Sequence, residues 1–257
     1  MTGRSREIDQ HVRDLVSKGL SVYDVDADRL RALAPDLIIT QMQCDVCAVT
    51  TTAVEQAVAQ WLEQRPVILS LMPNALHDLW GDMRRVAAAL GVVRTGETLI
   101  AASRQRLEVL TVMTRQRARR PRTLFLEWID PLIGGGHWMP ELVTLAGGVD
   151  LFGVVGGAAP QLTWPAIVAA DPDVIVVAPC GFSVERTRQE MIPLCAVRDW
   201  RQLRAVQEGE VYLLDGNQYF NRPGPRIVDS AEILAEVLHP DCCQFGHSTE
   251  IERWPLL

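Results

Sequence analysis

The chain has 257 residues, 48% of them hydrophobic and 22% charged, with a formal net charge of −7 and a pI near 5.3. That length allows one large α/β domain or two lobes of roughly 100 to 130 residues each, and the apolar content supplies a core and excludes extended disorder. An acidic molecule repels phosphate backbones and anionic membrane surfaces, which sets nucleic acid aside as a partner.

In chain order, residues 6–19 predict an amphipathic helix with Ile8, Val12, Leu15 and Val16 on one stripe. A short strand follows at 21–23, after the breaker Gly19. "DADRLRALAP" is a two-turn helix capped by Asp26 and ended before Pro35, feeding a strand at Leu37–Thr40. "AVEQAVAQWLEQ" predicts a helix and "PVILSL" a fully apolar strand. The next helix, "NALHDLWGDMRRVAAALG", takes Asn74 as N-cap and Gly91 as its C′ residue. A run from about Thr95 to Arg120, without proline and with no glycine after Gly96, predicts a long helix, with the arginines of "RQRARRPR" at its solvated end, complementing the dipole.

Beyond it come a strand in "RTLFLEW", a loop "IDPLIGGGH", and helices in "WMPELVTLAGG" and "TWPAIVAADP". A strand in "DVIVVAP", helical "SVERTRQEM" and "DWRQLRAVQEG", a strand in "EVYLLDG" and the helix "IVDSAEILAEVLHP" complete the reading. Strands that are apolar throughout and alternate with helices predict parallel sheets covered on both faces. The expected architecture is α/β: a lobe over 1–94, a connecting helix over 95–120 and a second lobe over 121–257.

One phrase is written twice. Residues 30–47 and 167–180 both run helix, Pro-Asp, apolar strand, then cysteine: Cys44 and Cys47 in the first copy, Cys180 in the second. Ligands of open parallel sheets bind beyond the carboxyl ends of the strands, so both cysteine loops are expected to face a common cleft.

"LRALAPDLIITQ", the spacer helix, "ELVTLAGG", "IVAADPDVIVVAPCG" and "EGEVYLLDGNQYFNRPGPRIVDSAEILAEVLHPD" together resemble the cobalamin-binding-protein branch of the substrate-binding proteins of ABC importers. The resemblance runs from about residue 6 to 240. It implies two Rossmann-like lobes joined by one long helix, with a corrinoid, haem or metal chelate held between them. It also implies binding and delivery to an ABC permease, and no catalysis or required cofactor. The strand and "P-S-x-T-E"-like segment with which such proteins usually begin have no counterpart, so the N-terminal lobe is expected to be truncated. In the family, one acid near the start of the helix before each "PD" strand meets the permease. Asp28 matches that position in the first lobe, whereas Pro165 stands there in the second and cannot form the ion pair.

Candidate ligand contacts follow from residue chemistry. C-x-x-C at Cys44 and Cys47 has the spacing of a redox dithiol or half a zinc site. With Cys180 it would make a three-thiolate site for zinc, iron or cobalt, unless all three are small buried hydrophobes. That metal site, in a cytoplasmic metal-binding protein or enzyme on the same fold, is the alternative function. Cys242 and Cys243 are adjacent, an arrangement in which both sulfurs rarely hold one ion. His137, after three glycines and before a helix, could ligate cobalt or iron or simply face solvent. Trp138 is a stacking wall or a core residue, and Trp128 ends a strand ahead of "IDP" with the same two options.

In "GNQYFNRPGPR", Tyr219 and Phe220 offer aromatic faces, Asn221 amide hydrogen bonds, and Arg222 a planar cation for a propionate or acetamide edge. The resemblance matches Tyr219 to the aromatic that lies against the corrin. The N-terminal stretch shows no apolar run behind a basic start, and nothing reaches the roughly 18 consecutive apolar residues of a membrane span. A cytoplasmic location is expected of the chain as written, and a periplasmic or extracellular one if the true start lies upstream.

Overall fold

The structure, a computed structural model, describes residues 3–17, 25–41, 55, 58 and 66–255. The chain divides into two compact units, one of Met1–Gly3 with Glu7–Thr98 and the other of Arg4–Arg6 with Leu99–Leu257.

Helix α1 (Ser5–Ser17) has its first two residues in the second unit and the rest in the first, where it buries Ile8 and Val12 of the stripe read from sequence and leaves Val16 exposed. Helix α2 (Ala27–Leu33) opens at Asp26, whose carboxylate accepts a 2.9 Å hydrogen bond from the Arg29 N–H, as the sequence predicts. The chain leaves this helix through Ala34 in the left-handed region, φ 42°, and enters β1 (Leu37–Gln41). Strand β1 lies parallel to β2 (Val67–Leu71), with Leu37 opposite Val67 and Gln41 opposite Leu71.

Helix α3 (Leu76–Ala89) corrects one expectation. Its N-cap is Ala75, not Asn74, because Asp78 reaches back and accepts hydrogen bonds from the N–H groups of Ala75 (2.9 Å) and Asn74 (3.0 Å). Those two donors hold the Asp78 carboxyl below the usual carboxylate range. A charged acceptor at the positive end of the helix replaces the neutral cap. Gly91, at φ 70°, is the C′ residue as read. Glu55 and Val58 are helical. The strand expected at 21–23 and most of the helix expected at 53–64 lie outside the described residues.

Helix α4 (Val93–Arg115) has 23 residues and carries a buried stripe of Ile100, Ser103, Leu107, Leu110 and Thr114 in the second unit. The spacing of three and four keeps one face apolar. It ends five residues before the expected Arg120. The arginines beyond it do not cap α4 itself: Arg117 pairs with Asp241, and Arg120 donates to the carbonyls of Thr144 and Gly148 at the end of α5 (Met139–Leu145). Arg115 closes the last turn of α4 as read, and Arg120 adds a cation at the carboxyl end of α5.

The second unit is built on a six-stranded sheet. Strands β3 (Arg122–Trp128), β6 (Val174–Val177) and β7 (Val211–Leu214) are parallel neighbours in its centre. The two-residue β4 (Ile133–Gly134) and β5 (Val149–Asp150) both pair with β3, and β8 (Ile251–Arg253) pairs with β7. The expectation of a parallel sheet holds at the centre and fails at the edges, where β4 and β8 run antiparallel. Central strands are buried on both faces and read as continuous apolar runs; edge strands carry no such signal.

One face of this sheet packs Leu126, Ile175, Val177 and Leu213 against Met191 and Leu194 of α7 (Val184–Ala196) and against Trp200 and Leu203. "DWRQLRAVQEG" forms two short helices instead of one, α8 (Arg198–Gln202) and α9 (Arg204–Gln207), because the extended Leu203 between them drops its side chain into that core at 1% exposure. Helix α10 (Ile227–Leu238) is buried along its length except at Asp229. Beyond it, Glu236 accepts the N–H groups of Phe245, Gly246 and His247, pinning the chain that leads to β8.

The duplicated phrase is a duplicated structure. Helix α2, Ala34 and Pro35-Asp36 correspond residue for residue to α6 (Trp164–Ala170), Asp171 and Pro172-Asp173, and each leads directly into its strand, β1 being one residue longer than β6. Both helices have seven residues and both end on a left-handed residue, Asp171 having φ 39°. Only the second copy braces that residue with its side chain: Asp171 Oδ1 accepts the Arg204 N–H at 3.0 Å.

Candidate functional site

Three parallel strands of the second unit deliver their carboxyl ends to one set of loops. After β3 comes Trp128, half-buried, with its indole N–H committed to the Asp130 carbonyl at 3.1 Å. After β6 the chain turns through Pro179, and the Cys180 N–H bonds the Glu127 carbonyl at 3.0 Å, leaving its thiol exposed. Phe182 then packs its ring 5.2 Å from that of Trp128, and the Arg186 guanidinium lies 4.8 Å above the other partner, Phe182. The result is a tryptophan–phenylalanine–arginine stack whose outer edge is aromatic and cationic. Phe182 and Arg186 escaped the sequence reading; "PCGFS" directly after an apolar strand was the available signal.

After β7 the chain makes a π-helical turn, Gly216–Phe220, opened by Asp215, which accepts the Gln218 N–H at 2.7 Å. A Cβ at residue 216 would collide with the carbonyl oxygen of Pro179, so glycine is required where the β6 and β7 loops touch. Those loops are joined twice more, by the Asn217 N–H on the Phe182 carbonyl (3.2 Å) and the Asn221 amide on the Ala178 carbonyl (3.3 Å). Arg222 is exposed, but its guanidinium is held by Asn217 through the backbone oxygen and the side-chain oxygen, each at 2.8 Å. Trp128, Cys180, Asn221 and Arg222 thus belong to one connected group of loops.

The remaining candidates divide. Phe220 faces inward, fully buried with its ring 5.5 Å from that of Phe125, because the π-helical turn rotates it beneath the sheet. The expectation of a second exposed aromatic face is therefore corrected. Tyr219, half-buried, points elsewhere: the Arg226 guanidinium is 5.7 Å from its ring, and burial together with Glu250 raises its hydroxyl above the ordinary range. Trp138 is a core residue at 7% exposure and the N-cap of α5, so it provides no stacking wall.

His137 sits beside the segment that follows β5. It has φ 54°, donates its N–H to the Gly157 carbonyl (2.7 Å) and accepts from the Gly156 N–H (2.9 Å). Its Nδ1 is buried with no hydrogen-bond partner among the described residues. Burial also pushes its pKa below the ordinary 6.5, so the ring is the neutral imidazole that metals bind. Val154 and Val155, just before the glycines that bond the His137 main chain, are exposed at 69% and 51%.

Cys44 and Cys47 lie outside the described residues. Among the described residues, the group of acids and histidines with metal-like spacing is Asp229, Glu232 and His247. Arg106 already spans its carboxylates, at 2.7 Å from Asp229 and 2.6 Å from Glu232. The cation there is a guanidinium. Asp28 and Pro165 are both exposed, each the second residue of its helix.

Residues 6–218 match the model of the periplasmic binding protein family. A vitamin B12-binding protein of Vibrio cholerae is 29% identical over 139 residues, 52% of this chain and 46% of that protein. The chain thus spans about half the length of the curated relative it matches. Among solved structures, a periplasmic heme-binding protein from Pseudomonas aeruginosa superposes with TM-score 0.67 at 20% identity, over 92% of this chain and 84% of the other. The periplasmic vitamin B12-binding protein BtuF of Vibrio cholerae gives 0.60 at 21%, over 83% and 78%. No described helix is long and apolar enough to cross a membrane.

Proposed function

Because the chain belongs to the periplasmic binding protein family, a family of substrate-binding proteins and not of enzymes, we propose that it binds a corrinoid, haem or related metal chelate for ABC-type uptake. The observation that carries this reading is Trp128. Its indole N–H is spent on Asp130 and its ring is backed by Phe182, so what it offers a ligand is a braced, partly exposed aromatic edge at the strand ends. A flat macrocycle gains both area and stacking there without ordering a mobile side chain.

Polar edges of such a ligand find partners in the same loops. Arg222 is pre-oriented by Asn217 and suits a propionate or an acetamide carbonyl. Asn221 keeps its side-chain oxygen for an amide donor, its nitrogen being used on the main chain. His137, its ring neutral and its Nδ1 without a hydrogen-bond partner among the described residues, is the axial-ligand candidate. The relatives that share this fold include proteins named for vitamin B12 and heme. Their periplasmic names favour action outside the cytoplasm over the cytoplasmic reading. The partner would be an ABC permease, approached through Asp28.

An optical titration of the reduced, metal-analysed protein with hydroxocobalamin, cobinamide and haemin tests this. Saturation at micromolar ligand, weakened at least tenfold by Trp128→Ala and also by Arg222→Ala, is the expected result. The absence of saturable change with all three ligands overturns the proposal.

A further inference from the structure

Cys242 and Cys243 follow α10 in a tight turn where both N–H groups bond the His239 carbonyl, at 3.1 and 2.9 Å. Their sulfurs are 3.6 Å apart. Cys243 is buried at 1% exposure and Cys242 is half-buried. Sequence adjacency alone suggests that two such sulfurs rarely serve one atom; the separation observed here reverses that expectation.

Three geometries are open to a pair at this distance. A disulfide needs a sulfur separation of about 2.05 Å and Cα atoms usually about 4.4–6.8 Å apart, whereas neighbouring residues hold theirs at about 3.8 Å across a trans peptide, so closure is strained. A linear two-coordinate ion with metal–sulfur bonds of about 2.3 Å would spread the sulfurs to about 4.6 Å, wider than the pair. With the same bond length, a 3.6 Å separation subtends about 100° at the bound atom. That angle fits a tetrahedral or pyramidal centre. Tetrahedral zinc would take two more protein ligands, and among the described residues no third acid, histidine or cysteine joins this pair.

We propose that Cys242 and Cys243 form a bidentate site for a three-coordinate, pyramidal thiophilic centre: a trivalent arsenical carrying one substituent of its own. Two arsenic–sulfur bonds form as the two arsenic–oxygen bonds of the hydrated arsenoxide break. The thiol protons leave on those oxygens, so that a net one water is released from the arsenoxide. Arsenic stays trivalent and no oxidant or reductant is consumed. Cys242 reacts first, being the accessible sulfur, and Cys243 closes the ring. Burial and the neighbouring Cys242 push the Cys243 thiol up to about 12, so it enters as the protonated thiol after Cys242 has bound, with the Arg117 guanidinium, held on Asp241, acting against that rise.

The site is independent of the chelate-binding reading, and its test uses a different probe. The full chain carrying Cys44→Ser and Cys47→Ser, which removes the other closely spaced pair, is reduced with a phosphine and titrated with phenylarsine oxide. Intact mass and thiol counting are the readouts. One adduct per chain with loss of two thiols is expected, released by a 1,2-dithiol but not by excess monothiol. Cys242→Ser, at a half-exposed position that leaves the fold intact, should weaken the adduct at least tenfold. Cys243→Ala, checked by circular dichroism, should do the same. The absence of an adduct, or an adduct that survives Cys242→Ser, overturns the proposal.

Discussion

Asp28 and Pro165 occupy the same position, the second residue of the helix, in the two copies of the helix–strand repeat. Both are exposed, and one of the two is an anion. If a permease reads these two positions through its arginines, only the Asp28 position offers it a charge. Asp28→Ala should leave ligand titrations unchanged and weaken capture by reconstituted permease about fivefold, the equivalent of roughly 1 kcal/mol. Pro165→Glu should tighten it. Surface-immobilised permease with soluble variants measures both, and an unchanged affinity in Asp28→Ala would remove this residue from docking.

Ser5 and Glu190 are in contact within the second unit. Both the N–H (3.2 Å) and the hydroxyl (2.8 Å) of Ser5 donate to Glu190 Oε2, and Arg186 approaches the other oxygen at 3.4 Å. Ser5 and Glu190 are buried at 2% and 4% exposure. Removing the carboxylate strands buried donors, so Glu190→Ala should cost about 2–3 kcal/mol in urea unfolding. Because Arg186 also stacks on Phe182, the same variant should loosen the aromatic stack and raise the dissociation constant for the chelate.

Glu236 predicts a local effect instead. One of its oxygens serves three consecutive N–H groups at 245–247. Glu236→Ala should lower stability by about 2–4 kcal/mol. Limited proteolysis should then cut first between Cys243 and Ile251. An unaltered cleavage pattern would contradict the anchoring role.

Burial lowers the pKa of His137 and of His239 from the ordinary 6.5. The unfolded chain therefore takes up protons at a higher pH than the folded one. The associated stability is complete above pH 6.5 and declines as pH falls from there through the lowered folded values. Urea midpoints at pH 7.5 and 5.5 should show the drop, and His137→Asn, a residue that tolerates φ 54°, should reduce it.

Ala34 spends a left-handed conformation on a residue with a Cβ, which costs about 1–2 kcal/mol against a glycine there. Ala34→Gly recovers that strain and returns part of it as unfolded-state entropy. A net gain of about 0.5 kcal/mol is expected in thermal or urea unfolding. A loss would mean that the Ala34 methyl contributes packing.

The repeat, the central strands and the long helix were legible because each carries a run of periodic apolar residues or a fixed punctuation such as Pro-Asp. What escaped has no such signature. Strands β4 and β5 are two residues each, and "IER" in β8 has a single apolar residue followed by two charged ones. Leu203 breaks a helix for tertiary reasons alone. At the candidate site, residue type pointed to the loops after β3, β6 and β7, which the fold brings together, yet nothing local distinguishes Tyr219 from Phe220. Only the π-helical turn, a main-chain event set by Gly216 and Asp215, decides which ring goes inward.

Strand β8 has a consequence for biogenesis. It covers the outer edge of β7, but it follows β7 in the chain only after the π-helical turn, α10 and the loop pinned by Glu236. During synthesis, the β7 edge therefore stands bare while roughly a helix and a loop are still being made, and bare edges recruit foreign strands. A chain held extended for longer, by a slow ribosome or by an export factor, is spared that exposure because β7 has not yet joined its sheet.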